Sequence, residues 1–93
     1  MRGLLLKAAA SMTAECPNSI GGAKVLWFTR VEPQPRSPIT GLAIVRSGSA
    51  CYLFACDREW GCIFDTWHPS VDAAKKQATS QFTGIKSWIG AIA

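Results

Sequence analysis

The sequence has few of the features that mark the commonest functional sites. Charged residues make up only 17% of its 93 positions, and it contains a single histidine, His68. No apolar run approaches the roughly 18–20 residues that a membrane-spanning helix needs. No phosphate-binding glycine loop or dinucleotide-binding fingerprint occurs. We therefore expect no membrane association, no nucleotide cofactor and no site that needs several histidines.

The cysteines lack the CxxC spacing of compact zinc sites. Three of them, together with His68, would supply suitable ligand types: Cys51, Cys56 and Cys62. However, Cys51 and Cys56 are five residues apart on one predicted strand, so they face opposite sides of the sheet. We expect no metal and no other cofactor, and we expect free thiols packed as small apolar side chains.

A disulfide between Cys56 and Cys62 depends on the register of the predicted hairpin. A loop at residues 57–61 would place Cys56 opposite Cys62, whereas a shorter loop would place it opposite Gly61. The common even-numbered hairpin loops favour the shorter one. The sequence thus favours unbridged thiols but leaves the register open.

The chain does contain enough apolar surface for one domain. Hydrophobic residues make up 48% of the sequence, which excludes general disorder and fits a single small core. The net charge is +4, but only Lys75 and Lys76 are adjacent, and neighbouring helical residues point about 100° apart. A nucleic-acid-binding surface needs a dense basic stripe, so no nucleic-acid partner is expected.

Residues 1–22 predict a flexible tail and residues 23–93 a single domain, because residues 17–22 are rich in turn formers. Arg2 and three leucines faintly resemble a signal peptide, but Lys7 ends the apolar run too early. Met1 and Met12 are both candidate translation starts. We expect a cytoplasmic protein.

The sequence of the domain predicts several strands separated by turns, followed by one helix. Strands are predicted at residues 24–32, 42–46, 50–57 and 60–65, with residues 85–89 as a candidate last strand. Ser70 is the predicted N-cap of a helix that Gly84 ends, and its apolar positions recur on one face: Val71, Ala74, Ala78 and Phe82. The predicted fold is an α+β two-layer sandwich, in which an antiparallel sheet of about four strands packs one face against the helix.

The DTWH segment at residues 65–68 is predicted to form the corner between the last strand and the helix. It holds the candidate catalytic residues, since Asp65 could orient His68, and His68 could activate Cys62 or Thr66. The alternative is structural, with Trp67 anchoring the corner and polar groups capping the backbone. We favour the structural interpretation, because a lone histidine without a metal or second acid is thin evidence for catalysis.

The run DTWH, followed by Ser70, AKKQA at residues 74–78 and Phe82, resembles a pattern in small bacterial proteins of unknown function. The strand meander followed by a helix is also similar, at fold level, to HicB-type antitoxins, and that resemblance implies protein binding. Their glycine-rich PDLPGC-like turn is replaced here by DREWGC at residues 57–62.

The function that we predict is a non-enzymatic protein-binding module, immunity or antitoxin-like, that contacts its partner through an uncovered sheet face. The predicted contact residues are four aromatics and one loop cation: Trp27, Tyr52, Trp60, Trp67 and Arg36. One alternative is a small enzyme or thiol-dependent protein that uses Asp65, His68 and a cysteine. The other is a homodimer formed through the open face or an exposed edge strand.

Overall fold

The structure, a computed structural model, describes residues 16–91, so residues 1–15 of the predicted tail lie outside it. The elements are β1 Ser19–Ile20, β2 Ala23–Arg30, β3 Gly41–Ser47, β4 Ala50–Cys56, β5 Cys62–His68, α1 Val71–Gln81 and β6 Ile89–Gly90. The strands form one antiparallel sheet in the order β1-β2-β3-β4-β5, and β6 pairs with β2. Within the described residues, no helix has the length and apolar character to cross a membrane.

Within residues 16–91, the α+β class, the antiparallel sheet and one helix packed on it are confirmed. The predicted number of about four strands is wrong, because the part of the sheet that lies in residues 16–91 already has six strands and curls into a half-barrel. The two extra strands that complete the curl, β1 and β6, have two residues each, too few to show a period in the sequence. In β1, Ile20 is buried against the core, although the prediction placed it in the tail.

The sheet buries apolar side chains on both of its faces. On the helix face, Leu42 and Ile44 of β3 pack in one cluster with Ala74 and Ala78 of α1. On the opposite face, the curled sheet encloses a second cluster: Ile20, Ala23, Val25, Phe28, Ala43, Val45, Cys56 and Trp60. Consecutive residues of β3 are buried in different clusters, one on each face of the sheet. The sequence of this strand is therefore a continuous apolar run.

A β-bulge at Leu26 changes which residues of β2 share a face. The register shifts between Val25 and Trp27. In a regular strand, alternate side chains share a face, which predicts Val25, Trp27 and Val31 on the same face of the sheet. This prediction is wrong for Val25. It packs in the opposite-face cluster, whereas Trp27 and Val31 pack on the helix face. One inserted residue is enough to reverse the alternation.

The last long strand and its hairpin loop differ from the prediction. The DTWH segment is not a corner, because β5 runs from Cys62 to His68 and includes it. Cys56 pairs with Cys62, so the favoured shorter loop is wrong and the loop at residues 57–61 forms instead. Asp57 stabilises this loop: its Oδ1 accepts hydrogen bonds from the backbone N–H groups of Glu59 at 2.9 Å and Gly61 at 2.8 Å.

The start of the helix and its buried face agree with the prediction, but its end does not, because the helix ends at Gln81 with Phe82 as the C-cap and not at Gly84. Ser70 is its N-cap, and the Ser70 Oγ accepts a hydrogen bond from the Ala73 N–H at 3.1 Å. Ala74 and Ala78 are fully buried, and their small side chains let the helix lie close to the sheet. The chain leaves the helix at Phe82, and Gly84 follows with a φ of 67°, a conformation that favours glycine.

Replacing Ser70 with alanine is expected to lower the free energy of unfolding by about 1 kcal/mol, because the Ala73 N–H loses its acceptor. Urea unfolding followed by circular dichroism measures the change. Ser80→Ala is the matched control, since Ser80 is an exposed helical serine that only donates to the Gln77 carbonyl. Equal losses in the two variants would contradict the capping role.

Candidate functional site

Strand β5 lies at the edge of the sheet and is largely exposed. It pairs with β4 on one side, and no strand within residues 16–91 pairs with its other side. Three of its large apolar side chains are exposed to solvent: Ile63 by 48%, Phe64 by 41% and Trp67 by 59%. Exposed apolar side chains concentrated in one place mark interaction surfaces. We call this free side of Cys62–His68 the β5 edge.

The register shows how the backbone of the hairpin is hydrogen-bonded. The Asp57 N–H donates to the Gly61 carbonyl at 2.9 Å, immediately beyond the paired Cys56 and Cys62. A hydrogen bond in this position is the sign of a non-hydrogen-bonded pair, in which the two residues do not bond to each other. Cys56 and Cys62 are therefore such a pair.

The same alternation leaves backbone groups of β5 available to a further strand. Hydrogen-bonded and non-hydrogen-bonded pairs alternate along β4, so Asp65 opposite Phe54 and Trp67 opposite Tyr52 are also non-hydrogen-bonded pairs. Their backbone N–H and C=O groups point away from β4. In its regular part, residues 64–68, the β5 edge thus offers two outward donors and two outward acceptors, at Asp65 and Trp67.

The β5 edge carries little of the protection usual for a free edge. Protein edges are often blunted by lysine, proline or a bulge. Cys62–His68 contains no lysine and no proline, and its only acidic residue is Asp65. A register shift at Ile63 interrupts regular pairing next to the loop. Residues 64–68 remain regular and accessible.

Asp65 also borders a cleft on the face opposite the helix. The cleft has a volume of about 250 Å³ and is lined by residues from several strands and turns: Gly21, Ala23, Ser47, Tyr52, Phe54 and Asp65. The exposed Asp65 carboxylate therefore sets one negative charge beside two aromatic rings. On the helix face of the same strand, Phe64 stacks on Phe82 with ring centroids 6.4 Å apart.

The structure brings together two of the five predicted binding residues. Tyr52 and Trp67 are register partners on neighbouring strands and face the same side. Trp60 is only 4% exposed and belongs to the opposite-face cluster. Trp27 lies on the helix face, and Arg36 is exposed in a separate loop with a φ of 65°. Trp60, Trp27 and Arg36 are therefore not part of the β5 edge.

Sequence reasoning missed Ile63 and Phe64 as surface residues. Both were predicted as residues of a strand, and the hairpin register was expected to decide which of the two packs against the helix. Nothing in their local sequence distinguishes an edge strand from a central one, since that depends on which strands pair. The one relevant sequence feature is that residues 62–68 contain no lysine, and this feature does not show that the strand lies at an edge.

The candidate catalytic residues do not converge. Asp65 and His68 are three apart on one strand and face opposite sides of the sheet. The His68 Nε2 lies 2.7 Å from the Thr66 hydroxyl. Cys62 shares a face with Asp65, and its pKa is raised, first by burial and then by the Asp65 carboxylate. A thiol whose pKa is raised reacts slowly near neutral pH, which does not suit the nucleophile of a catalytic cycle.

The cysteines divide between the two faces. Cys51 is the register partner of His68 on the helix face, and Cys56 is the partner of Cys62 on the opposite face. The prediction that Cys51 and Cys56 face opposite sides is confirmed. Among residues 16–91, no group of three or more cysteine, histidine or acidic side chains is placed to hold a metal ion.

Comparison with known proteins does not place this sequence in a family. No protein family matches this sequence, and no curated protein or solved structure is significantly similar to it.

Proposed function

We propose that this protein is a non-enzymatic binding module that holds an extended segment of a partner protein along the β5 edge. The exposure of Ile63, Phe64 and Trp67 on a free strand edge carries the proposal. An added strand would bond to the outward backbone groups of Asp65 and Trp67, which supplies affinity, while side-chain contacts supply specificity. This mode suits an immunity or antitoxin-like protein that masks its partner.

The two faces of β5 define the chemistry of the partner segment. On the face opposite the helix, the Asp65 carboxylate favours a lysine or arginine on the added strand. The neighbouring Trp67 ring can bind the same cation through its π face. On the helix face, Phe64 and Phe82 form an apolar platform. The partner segment is therefore expected to alternate basic and apolar residues.

The proposal is tested by two substitutions at Asp65. Asp65→Pro should weaken binding at least about fivefold more than Asp65→Ala, because both remove the charge and only proline removes the outward N–H. A hydrogen bond that is lost and leaves its partner unsatisfied costs about 1–3 kcal/mol, equivalent to roughly a five- to 150-fold change in Kd. The ladder with β4 is preserved, since this N–H takes no part in it. Linear peptides selected from a displayed random library against the wild-type protein serve as probes, and fluorescence anisotropy gives each Kd.

A second pair of variants tests the side chains. Trp67→Ala should weaken binding of the same peptides at least tenfold, as expected for an exposed aromatic at the centre of an interface. Ile89→Ala is the matched control, because Ile89 is 53% exposed but belongs to β6 beside β2. Circular dichroism verifies that each variant is folded. Equal Kd values for the two Asp65 variants, or equal losses in the Trp67 and Ile89 variants, would contradict docking at the β5 edge.

A second candidate is a homodimer joined through the same edge, and the charge pattern of β5 favours it. A two-fold axis at Thr66 would pair Asp65 with Trp67 of the second copy and Phe64 with His68. The hydrogen-bonding groups of Asp65 and Trp67 would then meet, and the two Asp65 carboxylates would stay apart. Sedimentation at increasing protein concentration tests this: wild type should dimerise and Asp65→Pro should remain monomeric.

A further inference from the structure

Cys56 and Cys62 lie opposite each other where the hairpin of β4 and β5 opens into its loop. They are register partners, and both thiols are free. The Cα atoms of a non-hydrogen-bonded pair are typically about 4.5 Å apart. Disulfides join Cα atoms about 4.4–6.8 Å apart. The backbone therefore already holds the two residues at a bridging distance.

The two side chains also share one face of the sheet, because directly paired residues point to the same side. Cys56 is fully buried in the opposite-face cluster, whereas Cys62 is exposed. Cys62 also affects the protonation of Cys56. Burial raises the pKa of Cys56 to about 12, and Cys62 is the next largest cause. An exposed thiol next to a buried one suits a two-step reaction that begins at Cys62.

We propose that Cys56 and Cys62 are a dithiol modification site, which a low-molecular-weight disulfide oxidises to a cross-strand disulfide closing the loop at residues 57–61. The bridge does not require the proposed docking, although Cys62 is the first residue of β5. The Cys62 thiolate attacks the small disulfide, forms a mixed disulfide and releases one small thiolate, which takes up a proton. The Cys56 thiolate then attacks the Cys62 Sγ and releases the second small thiol. The protein loses two hydrogen atoms, and one small disulfide becomes two thiols.

The remaining cysteines define the competing outcomes. Cys51 lies on the helix face, beyond the reach of Cys56 and Cys62. Cys16 is half-buried and packs against the same cluster as Cys56, so a bridge between Cys16 and Cys56 is the alternative to distinguish. Because the pKa values of Cys56 and Cys62 are both raised, bridge formation should accelerate about tenfold per pH unit near neutrality, as the thiolate fraction grows.

The experiment incubates the full-length native protein with oxidised glutathione, blocks the remaining thiols and maps tryptic peptides without reduction. Trypsin cleaves after Arg58, within the loop, so the bridge would keep peptides 47–58 and 59–75 joined. Cys51 shares the first of these peptides, and the Cys51→Ser variant therefore identifies Cys56 as the linked residue. Cys62→Ser is the negative control, since an exposed serine replaces an exposed thiol.

We expect the joined pair in the wild type and in Cys51→Ser, its absence in Cys62→Ser, and its separation by a dithiol reductant. Three results would overturn the proposal. The first is linkage of peptide 8–24, which carries Cys16, to peptide 47–58 in place of the joined pair. The second is a mixed disulfide at Cys62 that never resolves. The third is a bridge that forms faster in urea than in the folded protein.

Discussion

Replacing Trp60 with alanine is expected to lower the free energy of unfolding by about 3–5 kcal/mol. Trp60 is only 4% exposed, although it lies in a loop. Its ring meets Phe28 edge-on with centroids 5.8 Å apart, and the Arg30 guanidinium lies 4.3 Å from the ring centroid. A Cβ built on Gly41 would come 2.7 Å from the indole Cζ3. The ring thus fills one end of the half-barrel, and its removal leaves a cavity.

The backbone of Trp60 allows the role of the ring to be separated from that of the loop. Its φ of 65° lies in the left-handed region, which glycine adopts without strain. Trp60→Gly should therefore be no more destabilising than Trp60→Ala, although glycine usually costs stability. A clearly larger loss for glycine would show that the loop conformation differs from the one described.

Trp67→Ala is the matched control for stability. Trp67 is 59% exposed on β5, and its truncation should change the free energy of unfolding by no more than about 0.5 kcal/mol. Urea unfolding monitored by circular dichroism measures both tryptophan variants. The two residues would then have opposite profiles, with Trp60 required for folding and Trp67 required for binding. Equal destabilisation by the two substitutions would be incompatible with this arrangement.

Replacing Ala78 with aspartate is expected to destabilise the fold by more than about 4 kcal/mol, since an unpaired carboxylate would enter an apolar core. Ala78 is fully buried, and the cluster around it contains Leu42, Ile44 and Leu53 of the sheet. The larger side chain would also push the helix away from the strands. Loss of cooperative thermal unfolding, measured by circular dichroism, is the expected result.

The control is Thr79→Asp, one residue further along the helix on its exposed side. Thr79→Asp should lower the free energy of unfolding by less than about 1 kcal/mol. The pH dependence identifies the buried charge. Burial raises the pKa of the introduced carboxyl in the folded state, so the folded protein binds more protons than the unfolded chain above about pH 4. The Ala78→Asp defect should therefore be smaller at pH 4 than at pH 7, and a defect independent of pH would indicate steric damage alone.

The helix could be predicted from the sequence because its signals are local. Ser70 as the cap, the apolar spacing of Val71, Ala74, Ala78 and Phe82, and the following Gly84 all lie within one short segment. Each depends on hydrogen bonds or contacts between residues close in the chain. The strand at β3 was located for the same reason, since both of its faces are apolar.

The hairpin register could not be predicted, because a loop of either length satisfies the local pattern. Asp57 decides the outcome by accepting from two backbone N–H groups of the loop, and Trp60 by packing into the half-barrel. With this register, the DTWH segment is part of β5 and does not form a corner. It also pairs Cys56 with Cys62 and directs the backbone of Asp65 outward, so the candidate site depends on it.

The sequence by itself determined the α+β class, the single helix with its buried alanines, and the separation of Cys51 from Cys56. Each of these depends on spacing along the chain. Only the tertiary structure decided which apolar residues reach solvent. Ile44 and Ile63 are the same residue type in similar strands, yet Ile44 is fully buried and Ile63 is 48% exposed. Among the strands that the structure describes, β3 has a neighbour on both sides and β5 on one side, and that difference arises from pairing between distant segments.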